Sequence, residues 1–224
     1  MPKETRIISI ANSKGGVGKS VVTVMLAVAL ASAKNRKVLI IDCDSQNSVA
    51  TMYDQECALY EDEPLVEVEA LTPRRVQTFL KRFASDYDVI FIDIPRMTDG
   101  KKDNNAVVML LQHCDSILIP VIGSEVDVLS TSDFVDIVKD TADYKEEMEE
   151  DFKFYGFINR RNLRKSNELA EKAMKKQGLK MFKHSISDLK IFTHPSFFAS
   201  ILDYAEGQRR FEDFFKEFTR KFKL

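Results

Sequence analysis

The run Ser13-Lys-Gly-Gly-Val-Gly-Lys-Ser20 packs two lysines, three glycines and hydroxyl groups between a β-branched stretch and a long apolar one. Such a loop suits phosphate. Glycines permit positive φ and let the backbone approach an anion closely. A helix that opens straight from the loop adds unpaired N–H groups and the positive end of its dipole. In this layout Gly15, Gly16, Val17, Gly18 and Val21 offer backbone N–H groups. Lys19 reaches the terminal phosphates, and the Ser20 hydroxyl is placed for Mg²⁺. Two more apolar runs end in carboxylates: Lys37–Ile41 leads into Asp42-Cys43-Asp44, and Val89–Ile92 leads into Asp93. Together these groups suit hydrolysis of a nucleoside triphosphate. Lysines, Mg²⁺ and backbone N–H groups stabilise charge on the phosphate oxygens, while a carboxylate positions water.

The rest of the chain alternates strand and helix signals. Strands are expected at Arg6–Ala11, Lys37–Asp42, Asp88–Asp93, Ser116–Val121 and Phe152–Ile158, with Lys180–His184 as one more candidate. Helices are expected at Lys19–Ala33, Pro73–Ala84, Asn104–His113, Val128–Asp140, Leu163–Gln177 and Gly207–Leu224. Thr72 offers an N-cap for the helix that begins with Pro73. The acidic stretch Asp54–Glu69 is expected to be a long surface loop, and Glu146–Asp151 a solvated turn. Repeated strand–helix units imply an α/β fold: a mostly parallel, twisted sheet with helices on both faces and ligand at the strands' carboxyl ends. At this length, residues 1–224 are expected to form a single domain.

The form Lys-Gly-Gly-Val-Gly-Lys-Ser, with Lys14 ahead of the glycines, resembles the deviant Walker A box of the ParA/MinD family of ATPases, a group of P-loop NTPases. The resemblance implies ATP and Mg²⁺ as ligands and an ATP-dependent homodimer, in which Lys14 crosses the interface to the partner's nucleotide. It implies that Asp44 orients or activates the attacking water beside the metal, and that Asp42 helps organise the metal site. Ile92-Asp93-Ile94-Pro95 resembles Walker B, so Asp93 would hold Mg²⁺ together with Ser20. Asn159, at the end of the Phe152–Ile158 strand, matches the family's adenine-binding Asn. Three departures stand out: Ser45 replaces the usual Pro, Val21 replaces a second Thr, and Arg96 follows Pro95. Arg96 reads as a surface arginine with phosphate sensing as its alternative. Within the family, the short partition proteins match best. The implied function is plasmid or chromosome partition, with non-specific DNA binding and a ParB-like, centromere-binding adaptor that stimulates hydrolysis.

Net charge is −2, so the whole chain suggests neither nucleic acid nor membrane. Local charge differs. Arg160–Lys183 is strongly basic, and with Arg209, Arg210, Lys216, Arg220, Lys221 and Lys223 it is the candidate DNA-facing surface. Phe211, Phe214, Phe215, Phe218 and Phe222 recur at helical spacing between basic residues. A MinD-like membrane helix would look similar, but Glu212, Asp213 and Glu217 dilute its positive face, so packing against the domain is favoured. A mobile-element accessory ATPase acting on a protein partner is the third reading. Cys43, Cys57 and Cys114 lack metal or redox spacing and fit a reduced, cytoplasmic protein. No Cys-x-x-Cys supports a metallocluster carrier. Met1–Thr5 lacks the apolar core of a signal peptide. His113, His184 and His194 are read as structural or surface residues.

Overall fold

The computed structural model describes residues 5–97, 101–123 and 125–224; the polar stretch 1–4 lies outside them. Six strands form one parallel sheet: β1 (Arg6–Ile10), β2 (Val38–Asp42), β3 (Glu67–Ala70), β4 (Val89–Asp93), β5 (Ser116–Val121) and β6 (Lys153–Ile158). Their order is β3-β2-β4-β1-β5-β6. The pairing is parallel throughout these strands, so all six carboxyl ends open onto one rim. The helices are α1 (Lys19–Lys34), α2 (Ser48–Cys57), α3 (Pro73–Phe83), α4 (Lys101–Gln112), α5 (Glu125–Glu147), α6 (Ser166–Lys176) and α7 (Ala205–Phe222).

Strand periodicity divides the core into two layers. Val38, Ile40, Val89 and Phe91 face α1 and α7. Leu39, Ile41, Ile90 and Ile92 face the other side, against Val76 of α3, Leu110 and Leu111 of α4, Phe134 and Val138 of α5 and Met174 of α6. The apolar run of α1 fits this layout, because Val22 to Leu30 is buried without a break.

The phenylalanine stripe of α7 packs inward. Phe211, Phe214, Phe215, Phe218 and Phe222 are all buried. Phe218 stacks on Phe91, with ring centroids 6.4 Å apart, and Phe214 meets Phe157 at 4.9 Å and Phe182 at 5.5 Å. The apolar face that a membrane helix would need is thus spent on the core. Among the described residues no helix is long and apolar enough to cross a membrane.

Two expectations are corrected. The acidic stretch Asp54–Glu69 is not one loop, because α2 runs through Cys57 and Glu67 opens β3. β3 is an edge strand held by backbone pairing to β2. Burying little, it carries acidic side chains and no apolar run. The candidate strand Lys180–His184 is instead a broken ribbon beside β6. Gly156 exchanges hydrogen bonds with Lys180 and Phe182, and contact resumes where the Ile186 N–H donates to Ile158. Four residues on the ribbon thus span two on β6. The excess bulges away, and Glu217 of α7 accepts from the N–H groups of Lys183 and His184 at 3.0 and 2.9 Å. Smaller differences sit at termini. Thr72 makes no side-chain cap to α3, and α5 extends to Glu147.

Phe218 is fully buried between α7 and the sheet. Phe218→Ala should lower unfolding stability by about 3–5 kcal/mol, the usual cost of emptying a buried aromatic site. Denaturant unfolding checks this, and an effect below about 1 kcal/mol would mean that α7 is not integral to the core.

Candidate nucleotide site

The site forms where β2, β4 and β1, adjacent in the sheet, reach their carboxyl ends. β1 leads through Asn12 into the glycine loop. Gly16 (φ 76°) and Gly18 (φ 90°) take left-handed conformations that a β-carbon would strain. At Gly18 a β-carbon would also lie 2.5 Å from the Asn159 side-chain nitrogen, so this position needs glycine twice over. Gly18 caps α1 without any side-chain hydrogen bond. The first N–H groups of α1 therefore have no side-chain cap, the condition under which a helix terminus receives an anion.

Lys19 is buried, and its Nζ donates to the Lys14 carbonyl at 3.0 Å, bridging the loop. Burial pulls its pKa down, partly offset by Asp93 and Asp44. The Ser20 hydroxyl donates to Asp93 Oδ2 at 2.7 Å. Asp93 is buried, and its Oδ1 has no hydrogen-bond partner. Burial pushes its carboxyl up to about 7, opposed by the Ser20 hydrogen bond and reinforced by the neighbouring Asp42.

This donor set fits Mg²⁺, a hard cation that favours oxygen ligands and keeps several waters. Ser20 and Asp93 present oxygens side by side, and the orphaned Oδ1 gives a physical reason for a cation there. Among the described residues no group of three or more His, Cys, Asp or Glu side chains could hold a metal. The remaining ligands would come from phosphate and water.

The three acidic residues divide their work. Asp42 is fully buried, and its carboxylate accepts from three backbone N–H groups: Asp44 at 3.1 Å, and Val49 and Ala50 at 3.0 Å. This places Asp42 at the start of α2, as an anchor for the Asp44 loop rather than as a residue turned to a cation. Asp44 is half-buried, and its Oδ1 accepts from the Gln46 N–H at 2.9 Å. It lines a cleft with Arg96. Lys14 lines a neighbouring groove, also with Arg96.

Asn159 stands at the end of β6, and its side-chain amide donates to the Val17 carbonyl at 2.8 Å. It is buried beside the loop and lines a narrow cleft with Gly18, Val22, Ile186 and Leu189. The structure thus brings Asn159 to the phosphate loop.

The structure adds one residue that sequence reasoning passed over. Asn12 is buried; its amide donates to the Pro120 carbonyl at 2.9 Å and the Thr131 hydroxyl at 3.0 Å, and its Oδ1 accepts from the Lys14 N–H at 3.1 Å. It ties the loop entrance to β5 and α5. Nothing in the linear sequence marks it beyond a polar residue ending an apolar strand.

Parallel strand order, glycine loop and carboxylate-ended strands define a P-loop nucleotide-binding protein. The family profile for the CobQ/CobB/MinD/ParA nucleotide binding domain matches residues 8–196, and the chain belongs to that family. The chromosome partitioning protein ParA of Myxococcus xanthus is 33% identical over a match covering 52% of this chain and 52% of that protein. The maintenance of carboxysome distribution protein A of Gloeobacter kilaueensis is 30% identical, covering 55% and 52%. The chain thus spans about half the length of the curated relatives it matches. Among solved structures, a Cyanothece McdA variant in complex with ATP superposes with a TM-score of 0.72 at 18% identity, covering 96% of this chain and 97% of that one. A putative plasmid partition protein from Borrelia burgdorferi bound to AMPPNP gives 0.72 at 20%, covering 98% and 100%. At these identities the superpositions establish the fold.

The folded Asp93 carboxyl, at about 7, lies above the 3.8 of an unperturbed Asp. Between those values the folded chain holds the extra proton, so this group's contribution to stability falls as pH rises through the window. Without nucleotide or Mg²⁺, Asp93→Asn should therefore raise stability at pH 8 by about 1–3 kcal/mol. The difference should shrink toward pH 5. Thermal melts across pH check this, and a pH-independent difference would contradict it.

Proposed function

We propose that this protein is a Mg²⁺-dependent ATPase that dimerises on ATP and works in partition or intracellular positioning, as a ParA-type domain over residues 1–224. One observation carries the reading: the two-lysine glycine loop sits directly against the Ser20–Asp93 pair, whose orphaned oxygen suits a phosphate-bound cation. Family membership supports it, as do relatives named for chromosome partitioning and carboxysome distribution.

In this reading each group has a distinct task. Backbone N–H groups from Gly15 to Val21 receive the phosphates. Lys19, held in the loop's concavity, neutralises charge that grows on the terminal phosphate oxygens during transfer. Asp93 and Ser20 would hold Mg²⁺, which supplies further charge neutralisation. Asp44, at the open edge, orients the attacking water and accepts its proton. Lys14 acts on the nucleotide of the second copy. Asn159 releases the Val17 carbonyl or shares its amide to meet the adenine.

The proposed DNA surface lies on and around α6. Arg164, Lys165, Lys172, Lys176 and Lys180 are exposed there, whereas Lys175 is paired with Glu171 at 2.7 Å. Such side chains would contact phosphates without reading bases. An adaptor bound to a centromere, or to another cargo, would stimulate hydrolysis and release the protein. The packed α7 gives no support to membrane cycling.

The mutants should separate these steps. Lys19→Ala should abolish nucleotide binding. Asp44→Ala should bind ATP and dimerise but hydrolyse at least about 100-fold more slowly, within the range seen when a group acting on the reacting atoms is removed. Lys14→Ala should bind nucleotide yet fail in dimer-dependent hydrolysis. Turnover assays with light scattering check this, and normal turnover in Asp44→Ala would remove that residue from the mechanism. Reversing charge at Lys172, Lys176 and Lys180 should weaken ATP-dependent duplex binding and flatten its salt dependence by about 0.9 in log–log slope per lost contact. Unchanged DNA binding in the variant would move the DNA surface away from α6, whereas failure of the wild type to bind DNA with ATP present, together with retained ATPase activity, would favour a purely protein partner.

A further inference from the structure

Arg96 lies outside the phosphate-loop sequence, yet the fold sets it across that loop. β4 pairs with β1, so the chain leaving Asp93 emerges beside the chain entering the loop. A backbone hydrogen bond fixes the approach: the Met97 N–H donates to the Ser13 carbonyl at 3.1 Å. The Arg96 side chain then runs over Gly15. A β-carbon built at Gly15 would lie 3.3 Å from Arg96 Cδ and 3.6 Å from Nη1. The arginine thus lies in contact range of the glycine loop at position 15.

The guanidinium faces two clefts beside the loop. Arg96 borders the cleft lined by Asp44 on one side and the groove lined by Lys14 on the other. Among the described residues no carboxylate lies within ion-pair distance of it. Its charge also reaches the loop interior, where it opposes protonation of Lys19. The Met97–Ser13 backbone bond thus keeps the Arg96 side chain against the loop.

We propose that Arg96 is a specificity-determining residue that contacts the terminal phosphate and so distinguishes nucleoside triphosphate from diphosphate. This rests on the nucleotide-binding reading above. A guanidinium carries five N–H donors in a planar fork matched to phosphate oxygens, and charge-assisted hydrogen bonds of this kind are among the stronger ones. A diphosphate seated by the loop backbone leaves Arg96 over an empty position. A triphosphate fills it, between Asp44 and Lys14. The state with three phosphates is thereby tied to the β4 exit, as well as to the loop.

The test compares wild type, Arg96→Ala and Arg96→Lys by calorimetric titration with AMPPNP and with ADP, each with Mg²⁺, alongside thermal melts. Arg96 is exposed, so its loss should leave the nucleotide-free melting temperature unchanged. Arg96→Ala should weaken AMPPNP binding by about 10- to 100-fold, the scale of one lost charge-assisted contact. ADP binding should change by less than about 3-fold, and Arg96→Lys should restore only part of the AMPPNP loss. Equal losses for the two nucleotides, or none for either, would overturn the assignment of Arg96 while leaving the nucleotide site intact. Failure of the wild type to bind either nucleotide would overturn both the assignment and the functional reading beneath it.

Discussion

Asp93 is buried at the carboxyl end of β4, and only one of its two carboxylate oxygens has a partner. A buried carboxylate without full compensation is costly, and the protein responds by raising its affinity for a proton. Three arrangements converge on this one group. The sheet order places β4 between β1 and β2, so loops from both neighbours flank it. Ser20, first turn of α1, supplies a hydroxyl to one oxygen. Lys19 contributes positive charge but donates to the loop backbone instead of pairing directly with the carboxylate. The structure therefore leaves one buried oxygen without a partner beside Ser20, where a cation carried by phosphate would complete it.

Around that group, the fold spends polar side chains on holding loops in place. Asp42 fastens the start of α2 and the Asp44 turn through three backbone N–H groups. Asn12 fastens the loop entrance to β5 and α5. Glu217 fastens the bulge after Phe182 to α7. Each of these carboxylates or amides sits where strand geometry stops and backbone N–H groups would otherwise be unsatisfied. The rim of the sheet is thus held at its anchors, and the glycine loop, Lys19 and the Ser20–Asp93 pair lie among them.

Much of this was legible in the sequence, for identifiable reasons. Strands buried on both faces, such as Val38–Asp42 and Val89–Asp93, are continuous apolar runs, and glycine loops carry their conformational demand in residue type. The inward turn of the phenylalanine stripe was favoured from the acidic residues between its members, and the structure shows why: Phe91, Phe157 and Phe182 wait across the interface. What stayed hidden depended on partners far along the chain. β3 is held by backbone pairing at an edge, so its side chains need not be apolar. α2 begins at a carboxylate several residues upstream, and its burial rests on Val49 almost alone. Asn12 acquires meaning only when β5 and α5 are brought beside it. The ribbon at Lys180–His184 reads as a strand from its local composition, whereas its pairing to β6 breaks where Glu217 of α7 takes the Lys183 and His184 N–H groups.

In the proposed function, the loop and the Ser20–Asp93 pair together form one Mg²⁺–nucleotide site. Calorimetric titration of the wild-type protein with AMPPNP, in parallel with Mg²⁺ and with EDTA, tests it most directly. Saturable binding of one nucleotide per chain is expected, weakening by at least about tenfold when the cation is withheld, one lost metal-mediated contact being worth more than about 1.4 kcal/mol. Absence of binding, or equal affinity with and without Mg²⁺, would contradict it.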